Sequence, residues 1–398
     1  MARVLYLCSG RSFRAATPGR KIGDVVQCWR RAGHNVRHVC GGDLLAGASG
    51  SLVYGSQETY TRWYRRVPGM KPLARSISEW RDIQHDREVL AHLETISGEW
   101  RPDVVWERSS RLHSAGLVYA RQLGVPYVLE WKDHLVDYRV SLFRTRALRT
   151  ESCKNREADR IVVESAVLRD ALGHDGVDTS KIIVAHNAVQ ANQFSRDLQK
   201  RVRVREHLGI DEDTVLVGYL GSYAFYHDTA RLVLAADIIR KQETSRKVHI
   251  LMVGAGEEYP RSRALAEKLG LLHDVITMEP GVPKDEVPGI LSALDIAVLP
   301  GSTDIICPIK VQEYMASQLP SLVPAYSCNR EVITDGQTGA LFRPGDEVDL
   351  ADGIIALAED EQLREKMGQR ARQAIVTHFS WEATWGAALE TVLRRVSS

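Results

Sequence analysis

The feature that most restricts the fold of this chain is a unit that recurs along it: an apolar, β-rich run, a turn, and then an amphipathic helical pattern. Such alternation is typical of βαβ crossovers, which build a parallel sheet covered by helices. In the first half, the runs expected as strands are residues 2–8, 34–40, 102–108, 126–131, 160–165 and 181–187. The pattern then restarts, with strands expected at residues 215–222, 248–256, 273–280, 295–300, 320–325 and 339–344.

The chain length and the restart of the pattern predict two domains. At 398 residues the chain is longer than a single hydrophobic core usually organises. We therefore expect an α/β protein with two Rossmann-like, doubly wound parallel-sheet domains, over residues 1–200 and 201–380. The polar stretch at residues 191–213 is interpreted as an irregular linker. Ligands of such sheets bind beyond the carboxyl ends of the strands, so we expect the site in those loops, in a cleft between the domains.

The composition predicts a soluble, cytoplasmic protein. Apolar residues make up 44% of the chain, and no apolar run approaches the roughly 18 residues that a membrane helix needs. The apolar residues before Ser9 are too few for the core of a signal peptide. Six cysteines are scattered without a CxxC pair or a histidine at metal-binding spacing. This distribution is typical of reduced thiols and predicts neither a disulfide nor a zinc site.

The charge is distributed unevenly along the chain. Residues 1–200 contain 31 Lys and Arg against 22 Asp and Glu, whereas the remainder contains 21 against 29. In the basic half, Tyr60–Arg75 interleaves cations with aromatic side chains. This pattern fits peripheral contact with an anionic bilayer at the inner face of the membrane, a phosphorylated lipid carrier or another acidic acceptor, and a plain solvated helix fits it equally. Nucleic acid is not expected as a partner, because no recognition motif is present and the second half is acidic.

The most informative stretch runs from Pro308 to Asp346 and begins PIKVQEYMA. A glutamate in the first turns of a helix, here Glu313, can accept hydrogen bonds from both ribose hydroxyls of a nucleotide, while the helix N-terminus attracts the diphosphate. Lys310 lies three residues before Glu313, hence on the same helical face, where an ammonium can neutralise a departing phosphate. The alternative is an ordinary solvated Glu–Lys pair on a surface helix.

This stretch resembles the donor-binding signature of family 4 of the retaining glycosyltransferases (group 1, with the GT-B fold). In that signature, a Pro-x-Lys-x-x-Glu-Tyr-Met-Ala helix is followed by Pro, a strand and an Asp-Gly-x-x-Gly-x-Leu turn. The resemblance extends over nearly the whole chain, and residues 381–398 resemble the terminal helix that returns to the first domain. It implies retaining transfer of a hexose from a nucleotide sugar, UDP before GDP or ADP, to a glycan, lipid-linked or small-molecule acceptor.

The resemblance also implies a set of site residues. Lys310, Lys132 and Asp133 are the catalytic candidates. The donor-binding candidates are Glu313, Ile309, Pro308, Cys307, His227, Ser222, Gly221, Gly254, Met278, Val282 and Gly19. The chain departs from the family signature at Ile305, where a second glutamate would contact the transferred sugar. It departs again at Ser222 and His227, which stand where an arginine and a lysine are usual, although a protonated His227 can still donate to phosphate.

Several of these candidates have ordinary structural alternatives. Gly254-x-Gly256 is weak support for a dinucleotide site and is interpreted as a close approach to the donor. Met278–Val282 is expected to read the base edge through its backbone, or else to be a turn with a core methionine. Gly19, in an expected loop at Thr17–Lys21, closes over the phosphates or belongs to a basic turn. Lys132 and Asp133 follow a strand and face the cleft, or form a surface salt bridge.

Neither a cofactor nor a metal ion is expected. The nucleotide sugar is a co-substrate, the leaving phosphate can accept the acceptor's proton, and Lys310, His227 and the helix dipole can supply the countercharge. Two alternative functions remain: a nucleotide-sugar epimerase of the same architecture, and a weakly catalytic donor-binding subunit, which Ile305 favours.

Overall fold

The computed structural model describes residues 1–8, 16–41, 71–108, 112–131 and 142–396. The chain divides into two compact units. The first unit comprises Met1–Glu164, Leu168–Ala185 and Trp385–Ser398, and the second comprises Ser165–Val167 and His186–Thr384. Residue 200, expected as the domain boundary, therefore belongs to the second unit.

The first unit is built on a six-stranded sheet in the order β2-β1-β3-β4-β5-β6. Its strands are β1 (Arg3–Cys8), β2 (Asn35–Cys40), β3 (Val104–Arg108), β4 (Tyr127–Glu130), β5 (Arg160–Val163) and β6 (Ile182–Val184). Each neighbouring pair is parallel. All six strands lie within the spans that the sequence predicts.

The second unit contains another six-stranded parallel sheet, in the order β12-β11-β10-β7-β8-β9. Its strands are β7 (Val215–Leu220), β8 (Val248–Val253), β9 (Ile276–Glu279), β10 (Ile296–Val298), β11 (Ser321–Pro324) and β12 (Ala340–Phe342). Every residue of β7 and β8 is buried, as expected for strands covered on both faces. The predicted fold class, two Rossmann-like parallel-sheet domains, is confirmed.

Helices lie between the strands of both sheets and after the last strand. In chain order they are α1 (Ala16–Arg31), α2 (Lys71–Ser97), α3 (Ala115–Leu123), α4 (Arg144–Glu157), α5 (Ala166–His174), α6 (Leu198–Leu208), α7 (Thr229–Lys241), α8 (Tyr259–Lys268), α9 (Val287–Ala293), α10 (Ile309–Ala316), α11 (Ser327–Arg330), α12 (Glu347–Glu359), α13 (Glu361–His378) and α14 (Ala387–Val396). Among the described residues, no helix combines the length and the apolar character needed to span a membrane.

The prediction of an irregular linker at residues 191–213 was wrong, because helix α6 occupies most of that stretch. Asp197 caps the helix by accepting from the Lys200 N–H, and Gly209 ends it with a left-handed φ of 67°. The stretch is polar because Arg205 takes a buried position, 1% exposed. Its guanidinium pairs with Asp295 at 3.0 Å. A cation therefore stands at a buried position where an apolar residue would have given the sequence the periodicity of a helix.

The start of helix α1 also differs from the sequence interpretation. Gly19 and the rest of Thr17–Lys21 lie inside the helix rather than in a loop before it. Further along α1, Trp29 is completely buried, and its ring packs 4.8 Å from that of Trp106. Its indole N–H donates to the Trp385 carbonyl at 3.0 Å, which ties the last segment of the chain into the core of the first unit.

Candidate functional site

The strand order of the second unit reverses beside β7. Strands β8 and β9 lie on one side of β7, and β10, β11 and β12 lie on the other. The loops that follow two such neighbouring strands diverge and leave a crevice at the carboxyl ends, which is where open α/β sheets bind ligands. The loop after β7 carries Gly221, Ser222 and His227, and the loop after β10 leads into helix α10.

Helix α10 presents the two charged residues of the sequence motif. It begins after Pro308, whose φ of −65° and ψ of 141° place it at the N-cap. Val311 and Tyr314 are buried and anchor one face in the core. Lys310 and Glu313, three residues apart, are half-buried on another part of the helix. The Val311 N–H, in the helix N-terminus that is expected to attract the diphosphate, donates to the Pro308 carbonyl at 3.0 Å and so already has an acceptor.

The amine of Lys310 reaches the loop after β7. Its Nζ lies 2.9 Å from Nε2 of His227 and 3.2 Å from the hydroxyl oxygen of Tyr219. The Tyr219 hydroxyl in turn donates to the Ser222 carbonyl at 2.6 Å. Lys310 and His227, two candidates predicted separately and 83 residues apart in the chain, are therefore brought into direct contact.

The environment of His227 gives that residue a different role from the predicted one. Its side chain is 4% exposed, and burial together with the Lys310 charge lowers its pKa to about 3. The imidazole is therefore neutral at neutral pH. Nδ1 lies 3.3 Å from the Gly301 carbonyl, so the tautomer that satisfies both contacts donates from Nδ1 and accepts from Lys310 at Nε2. The expected donation to phosphate by a protonated His227 does not fit this environment.

Burial also lowers the pKa of Lys310, to about 7, while the nearby Glu313 carboxylate acts in the opposite direction. An ordinary lysine titrates near 10.4, so this shift makes the amine sensitive to pH in the neutral range. A small displacement of its surroundings, or an approaching anion, would change its charge.

Glycines make the close approach of these elements possible. A Cβ at Gly221 would lie 2.3 Å from Nζ of Lys310, and one at Gly254 would lie 1.8 Å from the Gly221 carbonyl oxygen. The Tyr223 N–H donates to the Ala255 carbonyl at 2.9 Å, which joins the loops after β7 and β8. The close approach at Gly254 is thus to the neighbouring loop, whereas the sequence interpretation assigned it to the donor.

Two candidates near the end of β9 are part of the packed core. Met278 is 7% exposed, and Val282 packs against the same cluster of apolar side chains. The alternative of a core methionine is therefore correct for the Met278 side chain. The Gly254 N–H donates to the Glu279 carbonyl at 3.1 Å, which fixes the strand end. Recognition of a base edge by the backbone of residues 278–282 stays a prediction.

The residues just before helix α10 are held by their backbone and by burial. Burial raises the pKa of the Cys307 thiol well above its usual range, so this thiol stays protonated. Ile309 packs against the core. At Ile305, the position that departs from the family signature, the carbonyl accepts from the Ser165 hydroxyl at 2.6 Å.

The two catalytic candidates of the first half, Lys132 and Asp133, lie outside the described residues.

Two sequence profiles match the chain, one in each half. The profile described as "Glycosyl transferase 4-like domain" matches residues 17–188. The profile described as "Glycosyl transferases group 1" matches residues 200–374. The chain belongs to the group 1 glycosyl transferases. The resemblance found in the sequence is thereby confirmed, and the protein is a glycosyltransferase.

Named relatives of this glycosyltransferase differ in how much of the chain they match. It is 25% identical over 331 residues to the D-inositol 3-phosphate glycosyltransferase of Paenarthrobacter aurescens, a match that covers 78% of this chain and 79% of that protein. It is 26% identical over 189 residues to the N-acetyl-alpha-D-glucosaminyl L-malate synthase of Bacillus anthracis, covering 48% and 47%. Matches to Corynebacterium enzymes named like the first relative also span about half of their length.

Solved structures share the fold of this glycosyltransferase over its whole length. A Rickettsia africae glycosyltransferase superposes with a TM-score of 0.74 at 15% identity and covers 100% of this chain and 99% of its own. Anabaena HepE in complex with UDP-glucose superposes with a TM-score of 0.70 at 15% identity and covers 99% and 100%. At these identities the likeness shows the two-sheet GT-B fold.

Sequence reasoning missed the tyrosines that build the glycosyltransferase's Lys310 environment. The Tyr314 hydroxyl donates to the Leu220 carbonyl at 3.0 Å and accepts from the Leu220 N–H at 3.1 Å, so helix α10 is fixed to the end of β7. Tyr219 supplies the second contact of Lys310. A tyrosine inside an otherwise aliphatic strand was the available signal, because a buried phenol needs a hydrogen-bond partner.

A second missed feature lies at the carboxyl edge of the first sheet. Lys21 is paired with Glu164 and lies 3.6 Å from Glu130, while Arg108 donates to Glu130 at 3.0 Å. The Tyr6 hydroxyl donates to the other Glu130 oxygen at 2.8 Å. The signal was a charged residue at or just after the end of an apolar strand, as in VVWER, YVLE and RIVVE.

Proposed function

We propose that this glycosyltransferase moves a hexose from a UDP-sugar to a glycan, lipid-linked or small-molecule acceptor, with retention of the anomeric configuration. The observation that carries the proposal is the Lys310 amine, held 2.9 Å from His227 at the strand-order reversal of the second sheet. Glu313 follows on the same helix. A nucleotide sugar presents a diphosphate and a ribose, which call for a cation and a hydrogen-bond acceptor. The HepE complex with UDP-glucose supports UDP as the nucleotide.

Each part of the donor then has a proposed contact. Glu313 accepts from the ribose hydroxyls, and the first-turn N–H groups of Ile309 and Lys310 attract the diphosphate, since helix geometry leaves them without intrahelical acceptors. The loop at Gly221 and Ser222 lies against the phosphates, and the backbone of residues 278–282 reads the base. Lys132 and Asp133 remain proposed contacts on the acceptor side.

The proposed chemistry is stabilisation of a leaving diphosphate. As the sugar departs, negative charge grows on the β-phosphate, and a positioned ammonium of Lys310 favours that state. The same phosphate oxygen can take the proton of the acceptor hydroxyl, so the step requires no protein base. Lys310 and the dipole of α10 together supply the countercharge, which supports catalysis without a metal ion or other cofactor.

The exposed face of helix α4, together with Leu142 just before it, supports peripheral contact of a cytoplasmic enzyme with an anionic membrane. Leu142 and Leu148 are 76% and 42% exposed, and Arg144, Arg146 and Arg149 are exposed around them. Leucines flanked by arginines suit a bilayer interface that contains anionic lipids. This arrangement favours a lipid-linked acceptor. An anionic small molecule is the second choice, because the names of two relatives contain inositol 3-phosphate and malate.

Thermal shift of the full chain with a panel of nucleotide sugars tests the proposal. A ligand at 100 times its Kd adds about 2.7 kcal/mol of stability, and NMR of the product then reports the anomeric configuration. Absence of a shift with every nucleotide sugar would contradict the donor site. Epimerisation without an acceptor would identify an epimerase, and binding without transfer across an acceptor panel would identify a donor-binding subunit.

A further inference from the structure

Lys310 is a half-buried amine whose hydrogen-bond partners are neutral. Its Nζ contacts Nε2 of His227 at 2.9 Å and the Tyr219 hydroxyl at 3.2 Å, and it lies 4.9 Å from the centre of the Tyr219 ring. Within the part of the chain that the structure describes, Lys310 forms no ion pair with a carboxylate. An amine enclosed in this way loses hydration without gaining a counter-ion, so its charged form is disfavoured until an anion arrives.

The titratable groups that interact with the amine, or with its contacts Tyr219 and His227, come from three elements. Strand β7 contributes Tyr219, the loop after it contributes Tyr223, Tyr226 and His227, and helix α10 contributes Glu313 and Tyr314. Burial raises the pKa of the Tyr219, Tyr223 and Tyr314 hydroxyls, so these phenols stay neutral. Glu313 is the carboxylate among these groups, and its attraction is outweighed by the burial of Lys310.

The position of the amine is fixed from both sides. The Gly301 carbonyl orients the His227 ring through Nδ1 at 3.3 Å, so Nε2 faces Lys310 as an acceptor. On the other side, Gly221 leaves room that a Cβ would fill, since it would lie 2.3 Å from Nζ. The amine is therefore held at the carboxyl end of β7 before any donor binds.

We propose that donor binding at this site is coupled to the uptake of up to one proton by Lys310, and that His227 is the positioning residue that holds the amine until the diphosphate arrives. The inference rests on the proposed donor site. The proton comes from solvent and is bound by the Nζ lone pair, and the resulting ammonium donates to a phosphate oxygen while keeping its hydrogen bond to His227. Donor binding therefore generates the positive charge on Lys310 that binds the diphosphate.

The number of protons taken up depends on pH in a defined way. With a pKa of about 7 in the free protein, the amine is mostly charged at pH 6 and mostly neutral at pH 8. If the bound amine is fully charged, uptake rises from about 0.1 proton at pH 6 to about 0.9 at pH 8. Protons are taken up rather than released on binding, because the diphosphate raises the pKa of an adjacent amine.

Calorimetry of the full chain with UDP-glucose measures this number. The titration is repeated at pH 6, 7 and 8 in buffers of different ionisation heat, and the slope of binding heat against buffer heat gives the protons taken up. The diphosphate of UDP-glucose is fully ionised over this range, so the ligand contributes no proton. Normal binding with less than about 0.2 proton at pH 8 would overturn the inference and leave the proposed function standing. Absence of binding by every nucleotide sugar of the panel would overturn the proposed function itself.

Three variants assign the proton. Lys310→Met should abolish the pH-dependent uptake. His227→Ala should admit water, return the Lys310 pKa toward its ordinary value and reduce uptake at pH 8 to less than half. His227→Gln, whose side-chain oxygen can replace Nε2 as acceptor, should restore the proton uptake of the wild type.

His249→Gln is the matched control, because His249 is also buried with a lowered pKa but contacts Thr277 at 2.9 Å. Equal uptake in wild type and Lys310→Met, or in His227→Ala and wild type, would contradict the assignment.

Discussion

The carboxyl edges of the two sheets hold their cations in opposite ways. In the first unit, Lys21 and Arg108 are matched by Glu130 and Glu164 within a buried network. In the second unit, the amine of Lys310 contacts a neutral imidazole and a phenol. A matched network compensates its own desolvation and stabilises the fold without a ligand. A cation without a counter-ion makes the free protein less stable and prepares the site for an anion.

Removing one carboxylate from the matched network should have the largest effect on stability. Glu130→Gln keeps the shape of the side chain but leaves Glu164 as the one carboxylate of the described network facing Lys21 and Arg108. Breaking a buried pair in this way costs about 3 to 5 kcal/mol. Urea unfolding followed by tryptophan fluorescence measures the change.

The control for this variant is Asp103→Asn, which breaks an exposed pair with Arg3, whose two side chains are 46% and 42% exposed. Exposed pairs contribute about 0 to 1 kcal/mol. Equal losses for Glu130→Gln and Asp103→Asn would show that the buried network is no more important than a surface pair.

Removing the unmatched cation should affect turnover instead. Lys310→Met keeps much of the packing of the side chain but removes its positive charge. We propose that this charge contacts the leaving diphosphate more strongly in the transition state than in the ground state. We expect kcat at saturating donor to fall by about 10²-fold or more. Steady-state kinetics with the donor identified by the panel measures the effect. Lys241→Met, on an exposed lysine paired with Asp237, is the control, and a wild-type kcat for Lys310→Met would assign the leaving-group role to the backbone amides.

The same variant should be at least as stable as wild type, which contrasts with Glu130→Gln. The pKa of Lys310 is lower in the folded protein than in the unfolded chain, so burial of the charged amine reduces the free energy of unfolding. This loss of stability has its full size below about pH 7. Between the two pKa values the unfolded state binds more protons, and the loss of stability declines as pH rises. The stability advantage of Lys310→Met should therefore be largest near pH 6 and shrink toward pH 9. An advantage that grows with pH would contradict the lowered pKa.

Glu313→Ala should weaken donor binding by about 1.5 to 3 kcal/mol, the range for hydrogen bonds to charged groups. The reason is the loss of the proposed ribose contact, and the fold should be little affected because Glu313 is half-buried on a helix whose opposite face forms the core. Isothermal titration with UDP measures the affinity. Glu258→Ala, in the same unit and paired with Arg261, is the control. An unchanged UDP affinity for Glu313→Ala would remove the ribose role.

The last prediction concerns membrane binding by the surface of the first unit. Replacing Arg146 and Arg149 with glutamine should weaken binding to vesicles containing phosphatidylserine by about 1 kcal/mol per residue. Binding should also decline with added salt, because screening limits electrostatic reach to about 8 Å at 0.15 M. Co-sedimentation measures it, with Arg261→Gln in the second unit as control. Salt-insensitive binding, or equal loss in the control, would exclude helix α4 as the contact.

The strands were predictable from the sequence because burial on both faces produces continuous apolar runs. In β7, for example, every residue from Val215 to Leu220 is buried. Helix α6 was not predictable in the same way, because Arg205 occupies one of its buried positions and its partner Asp295 lies far along the chain. Burial by an ion pair gives no apolar periodicity.

The donor-site residues were predictable individually, but their interaction was not. The motif around Lys310 and Glu313 identifies the helix, and the loop after β7 identifies His227. Their contact depends on the adjacency of β7 and β10, which the sequence does not encode locally. The charge state of His227 depends on the depth of its burial. The sequence predicted that His227 donates a hydrogen bond to phosphate, but the buried, neutral ring accepts one from Lys310 instead.

The position of Trp385 bears on how the chain folds during synthesis. Its carbonyl accepts from Trp29, and its ring lies 3.8 Å from Nζ of Lys21, so the first unit uses residues that leave the ribosome after all of the second. Domains usually fold in the order in which they emerge. Here the second sheet can form while the first still lacks an indole from its core, and the nascent first unit must wait with Trp29 and Lys21 incompletely covered until translation has passed residue 385.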